Sequence, residues 1–358
     1  MDPVTRSKLT ILRRQYFQLV EPTQLRWPDV NTLKSLNVQL WIFENLFDMD
    51  SIPTAPPDRY RLRVLKLLVC TLEASIGGSE EDEISDELMS TLSSLISSNI
   101  PSESVFAQQK AFVTYAYPPR STDDGLSDDD LSVKLLESRS VISSSGTTGL
   151  RTWEAALLLG AFLASETGRR SVHGKNILEL GAGTGMLSIF CAKHLSVSSV
   201  VATDGDEAVV DIIKTNIFLN SLDADESSNS SIRTAALRWG WSLDAATFEE
   251  DFGMDVPDVL LGADVTYDRS VIPSLVSTLR EFFKLNPALR VLIAAAIRNE
   301  QTFEIFQNAC IRNGFNLELT KFPPVPEHLQ EGPFYSTTTP IQIWQISRSQ
   351  PSRDPFSF

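Results

Sequence analysis

The sequence predicts an α/β protein: a mostly parallel, Rossmann-like sheet covered by helices, preceded by an all-helical domain. Three observations carry this. Apolar residues near the start recur at helical spacing. From Asn176 onward, short apolar runs alternate with amphipathic segments, the pattern of strands joined by covering helices. One of those runs ends in a glycine-rich turn that opens a helix.

Leu9, Leu12, Tyr16 and Leu19 predict a first helix. Leu33, Leu36, Leu40, Phe43 and Phe47 predict a second, with Asp29 or Asn31 as its cap. A third runs through "DRYRLRVLKLLVCTLEASI". A fourth, "ISDELMSTLSSLISS", sets Ile84, Leu88, Leu92 and Leu95 on one face, and the loop "GGSEEDE" lies between the two. None of these helices carries the residue types of a reaction centre. Residues 1–119 therefore read as a helical packing or partner-binding domain. The polar run "RSTDDGLSDDDLS" falls in an acidic linker over 120–144, and a second domain spans 145–347. Its strands are "KNILELGAG", "VVATD", "DVLLGAD", "RVLIAAAI", "NLELTKF" and "IQIWQIS". "SLDADESSNSSIR" reads as a mobile insertion, and residues 348–358 as a disordered tail.

Composition narrows the function. The chain has 358 residues, 42% of them hydrophobic, enough for a large core and two domains. A net charge of −15 makes a nucleic-acid partner a poor expectation, because a phosphate backbone requires clustered Lys and Arg. Cys70, Cys191 and Cys310 are far apart and form no CxxC, which argues against disulfides and a metal site. The start "MDPVTRSKLT" lacks the apolar core of a signal peptide, and no apolar run reaches the ~20 residues of a membrane span. A soluble cytoplasmic monomer with no membrane partner is the expectation.

"NILELGAGTGMLSIFCAKHL" is a strand, a turn and a helix. Gly181, Gly183 and Gly185 let the backbone, with Ala182, come close to a ligand at the strand's carboxyl end. The next strand ends in Asp204, placed where an acid binds ribose hydroxyls. This set points to an adenosine-bearing ligand. A dinucleotide would place a pyrophosphate at the turn, where Glu179 is awkward. S-adenosylmethionine has no phosphate and carries a positive charge, so it is the preferred ligand. Glu179 has a second reading, a structural carboxylate bonded to nearby backbone.

A later strand ends in "LLGADVTYD", delivering Asp264 and Tyr267 to one place. With "SGTTGLRTWEAALLLGAFL" ahead of the glycine turn, these residues resemble the seven-stranded, class I S-adenosylmethionine-dependent protein-lysine methyltransferases with a D-x-x-Y motif. More narrowly, the GTTGL-x-TW-x-AA stretch is similar to the elongation factor 2 lysine methyltransferases, in which a helical N-terminal domain precedes the catalytic one. The resemblance implies a seven-stranded sheet with its last strand antiparallel. It implies that Trp153 packs by the methionine end of the cofactor, that Gly181, Ala182 and Gly183 line it, and that Asp204 holds the ribose. It further implies that Trp239 lies by the adenine, with Trp241 as a rival, and that Ala263 touches the cofactor. Asp264 and Tyr267 would meet the substrate lysine, Asp264 by positioning the amine and Tyr267 by its ring and hydroxyl. The alternative for Asp264 is a cap on the following helix. A methyltransferase acting on a different protein lysine stays open at this point, and so do two functions of other kinds. One is a nicotinamide-dependent oxidoreductase, against which Met186 counts at the sixth fingerprint position; the other is a cofactor-binding protein without catalysis.

Overall fold

In the computed structural model, residues 1–75, 83–102, 109–119, 130–138, 149–222 and 232–348 are described. All but the last residue of the loop "GGSEEDE", most of the acidic linker, "SGTT", most of "SLDADESSNSSIR" and nearly all of the tail fall outside them. The chain divides into two units, one of Met1–Arg151 with Leu329–Phe334, the other of Thr152–His328 with the chain from Tyr335 on.

The first unit begins with helix α1 (Pro3–Phe17), started by Pro3 and capped by the Asp2 carboxylate, which accepts from the Val4 and Thr5 amides. Leu9, Leu12 and Tyr16 bury one face of it. Asp29, one of the two expected caps, accepts from Thr32 N–H and starts the short helix α2 (Val30–Leu33). The long second helix expected over Leu33 to Phe47 is broken. A new helix, α3 (Leu36–Ile42), starts at Ser35, whose backbone is extended, and a π-turn follows over Phe43–Phe47. The break rotates the buried face, so Leu36 and Leu40 are exposed while Val38, Ile42, Leu46 and Phe47 enter the core. Helices α4 (Asp58–Ser75) and α5 (Asp86–Ser97) complete the bundle, α5 capped by Ser85.

The expectation that residues 1–119 are wholly helical and 120–144 a linker needs correction. Strands β1 (Lys110–Tyr117) and β2 (Leu131–Ser138) pair antiparallel, Lys110 opposite Ser138 and Tyr117 opposite Leu131. The cause is alternation with period two: Ala111, Val113, Tyr115 and Tyr117 turn inward on β1, and Val133 and Leu135 on β2. Buried Arg14 of α1 grips Asp130, just before β2, through Nε (2.9 Å) and Nη2 (2.6 Å). It also donates to the Glu331 carbonyl. Gln18 pairs with the backbone of Phe334 through both ends of its amide, and Arg26 donates to the Gln330 carbonyl. Residues Leu329–Phe334 are thus strapped to the first unit by three side chains.

The second unit holds a seven-stranded sheet in the order β5-β4-β3-β6-β7-β9-β8. The strands are β3 (Asn176–Leu180), β4 (Ser199–Asp204), β5 (Ile232–Ala236), β6 (Val259–Ala263), β7 (Arg290–Ala296), β8 (Phe315–Leu319) and β9 (Ile341–Arg348). The last, β9, runs antiparallel between β7 and β8, as expected. The covering helices are α6 (Glu154–Ala164), α7 (Glu166–Val172), α8 (Met186–His194), α9 (Glu207–Leu219), α10 (Phe248–Phe252), α11 (Ile272–Leu285) and α12 (Glu300–Arg312). On α11, Leu275, Val276, Leu279, Phe282 and Phe283 recur at helical spacing and are buried, each worth roughly 1.5–3 kcal/mol of transfer free energy. β3 is flanked by β4 on one side and β6 on the other, all parallel. The strand order reverses there, and in such sheets ligands bind at the carboxyl ends beside the reversal. Among the described residues, no helix is long and apolar enough to cross a membrane.

Candidate active site

Three adjacent strands end at this reversal. β3 delivers the glycine turn, β4 delivers Asp204, and β6 delivers Ala263 and Asp264. Gly181, Gly183 and Gly185 have φ of 64°, 56° and 80°, the left-handed region that glycine enters without strain. Gly181 also leaves little room for a side chain. A Cβ there would lie 3.0 Å from Val265 Cγ1 and 3.2 Å from Trp239 Cζ2. Trp239 therefore packs on the turn, whereas Trp241 is 64% exposed with Arg238 over its ring. The Gly240 amide donates to Thr278 Oγ1 of α11 and anchors the tryptophan loop.

Asp204 is tied to the turn. Its Oδ2 accepts from Gly183 N–H at 3.1 Å and its Oδ1 from Asp206 N–H at 3.2 Å. Burial raises its pKa above the usual carboxylate value, against the opposing pull of these amides. The turn is braced from below: Thr184 Oγ1 lies 2.7 Å from Thr152 Oγ1, and Asn216 of α9 donates to the Thr184 carbonyl.

Glu179 takes up its structural reading in this geometry. Its Oε2 accepts from both the amide (2.9 Å) and the hydroxyl (2.5 Å) of Ser188, so it joins β3 to α8. Burial pushes its pKa from 4.5 up to about 7, with the Ser188 donors pulling the other way. The sign follows from the raised value. The native state keeps a proton that the unfolded chain releases, so stability is full below about pH 4.5 and falls as pH rises through about 7. Glu179→Gln keeps an acceptor for Ser188 without the titration. Between pH 5 and pH 8 the parent is expected to lose up to about 3 kcal/mol more stability than the variant, read from urea melts without ligand. Equal losses would assign the pH dependence to other groups.

Asp264 follows β6 with φ of 52°, a left-handed conformation that Asp and Asn tolerate better than most residues. It does not cap α11, whose N-cap is Val271. Instead its own amide donates to the Ala294 carbonyl, and its Oδ1 accepts from Ala296 N–H at 2.8 Å, which fastens it to β7. Burial raises its pKa, with the Ala296 amide and Arg298 opposing and Glu154 reinforcing the rise. The Ala155 amide favours the charged form from nearby, yet among the described residues no donor completes a hydrogen bond to Oδ2. That buried oxygen has no partner, an arrangement tolerated at functional sites. Tyr267 lies beyond it with its side chain 63% exposed.

One group here has no signature in the sequence. Arg298, just past β7, places Nη1 3.6 Å from Asp264 Oδ1 and Nη2 2.8 Å from Glu154 Oε2. Its guanidinium carbon lies 5.1 Å from the centre of the Trp153 ring. Trp153 itself sits half-buried at the N-cap of α6.

Comparison with known proteins bears on what this arrangement is. A family model described as "Lysine methyltransferase" matches residues 135–310. The protein-lysine N-methyltransferase EFM3 of Chaetomium thermophilum is 44% identical over 335 residues, covering 93% of this chain and 96% of its own. The chain belongs to the lysine methyltransferase family. Another relative in this family, EFM3 of Saccharomyces cerevisiae, is 30% identical over 76% of this chain and 78% of its own. The human protein-lysine N-methyltransferase EEF2KMT is 32% identical over 56% of this chain and 62% of its own. Membership in the family of lysine methyltransferases sets aside the oxidoreductase reading.

Proposed function

We propose that this chain transfers methyl groups from S-adenosylmethionine to the side-chain amine of a lysine in elongation factor 2. The observation that carries the site is the meeting, at three neighbouring strand ends, of the glycine turn, Asp204 and the unpartnered Oδ2 of Asp264. The residues fit the cofactor. Gly181 and Trp239 form a flat apolar wall suited to an adenine, and Asp204, held by two amides, keeps lone pairs for ribose hydroxyls. Gly181, Ala182, Gly183, Asp204, Trp239, Ala263 and Trp153 are the residues proposed to hold it. When bound, S-adenosylmethionine supplies a methyl group on a sulfonium, and the C–S electron pair stays on sulfur as S-adenosylhomocysteine is released.

The chain's own residues have two tasks. They must take the lysine amine out of water, which favours its neutral, nucleophilic form, and they must aim its lone pair. Asp264 Oδ2 accepts an N–H of the amine and fixes its direction. Being a carboxylate, it favours the ammonium, so it acts by positioning and not by lowering the amine's pKa. The exposed Tyr267 ring offers its face to the cationic product.

Elongation factor 2 as the substrate is supported by the resemblance of the "TGLRTWEAA" stretch to the elongation factor 2 lysine methyltransferases. Incubation of purified elongation factor 2 with the chain and methyl-labelled cofactor should label one lysine-containing peptide. Label on other lysate proteins and none on the factor would overturn the substrate while keeping the reaction.

The cofactor proposal has its own test. Gly181→Ala places a methyl group against Val265 and Trp239 at a left-handed φ, a conformation that disfavours any Cβ by roughly 1–2 kcal/mol. Trp239 must move, and the dissociation constant for S-adenosylhomocysteine is expected to rise ~10-fold, the equivalent of about 1.4 kcal/mol. Calorimetric titration reads this directly. Parental affinity would show that the turn and Trp239 do not form the adenine wall.

A further inference from the structure

We propose that Arg298 is a positioning residue for methyl transfer: held by Glu154 and laid over Trp153, its guanidinium fixes the Asp264 carboxylate so that Oδ2 is kept as the acceptor for the substrate's amine. The inference rests on the reading of this site as the place where a protein lysine is methylated.

The argument is one of charge and geometry. Asp264 is buried and would favour neutrality if left alone. Two carboxylates, Asp264 and Glu154, face one guanidinium, so the ionised cluster keeps a net charge of −1. Arg298 comes within 3.6 Å of Oδ1, the oxygen that also accepts from Ala296 N–H. The remaining charge rests on Oδ2, a buried oxygen that accepts no hydrogen bond from the described residues. A cluster of charge −1 with one unused acceptor attracts an alkylammonium and gives its N–H groups one place to bind. A guanidinium seated on both carboxylate oxygens would have blocked it.

Arg298 is itself restrained on two sides, by the 2.8 Å bond to Glu154 and by the Trp153 ring face. A planar guanidinium can satisfy both at once, and a lysine ammonium cannot. The charged groups acting on Asp264 come from α6 (Glu154) and from the segment after β7 (Arg298), with amides from Ala296 and Ala155.

The test uses the full chain with carbonyl-labelled aspartates, in which the Asp264 carboxyl signal is identified by its loss in Asp264→Asn. Arg298→Met should move the Asp264 titration midpoint up, and Glu154→Gln should move it down. These opposite shifts do not follow from general loosening of the fold. In the transfer assay, Arg298→Met should lower kcat ~10-fold with the KM for S-adenosylmethionine unchanged, and Arg298→Lys should recover part of the loss. Unchanged midpoints in both variants, or shifts in the same direction, would overturn the proposal. So would a parental kcat in Arg298→Met. If Arg298→Met does not fold, the Glu154→Gln midpoint decides alone. A parent chain that methylates no protein lysine would defeat the functional reading, while the titrations still report whether Arg298 controls Asp264.

Discussion

Asp264→Asn is expected to slow methyl transfer about 100-fold while leaving S-adenosylhomocysteine affinity within about 2-fold, a loss of ~2.7 kcal/mol of transition-state stabilisation. Two effects of similar size add. The negative charge that attracts the amine is removed. In addition, the Asn oxygen takes over the bond from Ala296 N–H, which turns the amide NH2 toward the position of Oδ2. A donor then faces an amine that needs an acceptor. The fold should tolerate the change, because Asn adopts φ near 52° at least as readily as Asp. Initial rates with labelled cofactor, together with melting curves, decide the matter. Rates near the parent's at an unchanged melting temperature would remove Asp264 from the reaction.

Arg14→Ala is expected to destabilise the first unit by roughly 3 kcal/mol, the low end for breaking a buried ion pair. Asp130, whose side chain is 16% exposed, loses both of its guanidinium bonds, and the Glu331 carbonyl loses its donor. For a unit of this size the melting transition should fall by roughly 6–12 °C. Arg14→Lys should restore only part of the loss, since an ammonium cannot make the two parallel bonds of the guanidinium fork. A fall of less than about 1 kcal/mol would mean that solvent replaces the arginine at little cost.

Much of the catalytic unit was legible because its signals are local. A strand, three glycines and a helix are contiguous in sequence, and so are β6 and Asp264, so periodicity and turn chemistry placed them without knowledge of the sheet. Their meeting at one spot followed from strand order. β5 escaped notice because it is an edge strand of five residues in which only Ile232 is buried, which leaves almost no apolar pattern. The β1–β2 ribbon did carry a signal, the alternation in "KAFVTYAY", at the end of a stretch otherwise dominated by helical spacing. Arg298 could not be found at all from its surroundings. "AAAIRNE" has no motif, and its relation to Asp264, Glu154 and Trp153 exists only once β7 lies beside β6 and α6 is in place. The role of Glu179 was undecidable for a related reason: Ser188, which occupies it, comes from the next helix.

The strap of Leu329–Phe334 has a consequence for how the chain is made. Small domains usually fold as they emerge from the ribosome, the N-terminal one first. Here the first unit lacks its own Gln330 and Glu331 until the strands β3 to β8 of the second unit have been made, so Arg14 and Arg26 wait without their carbonyl acceptors. The sheet waits as well, because β9 closes the gap between β7 and β8 and is translated after the strap. Neither unit is complete in a nascent chain that stops before Leu329. A premature stop there would cost the first unit its strap and the second its β9 at once, leaving two unfinished cores where a tandem arrangement would have left one finished.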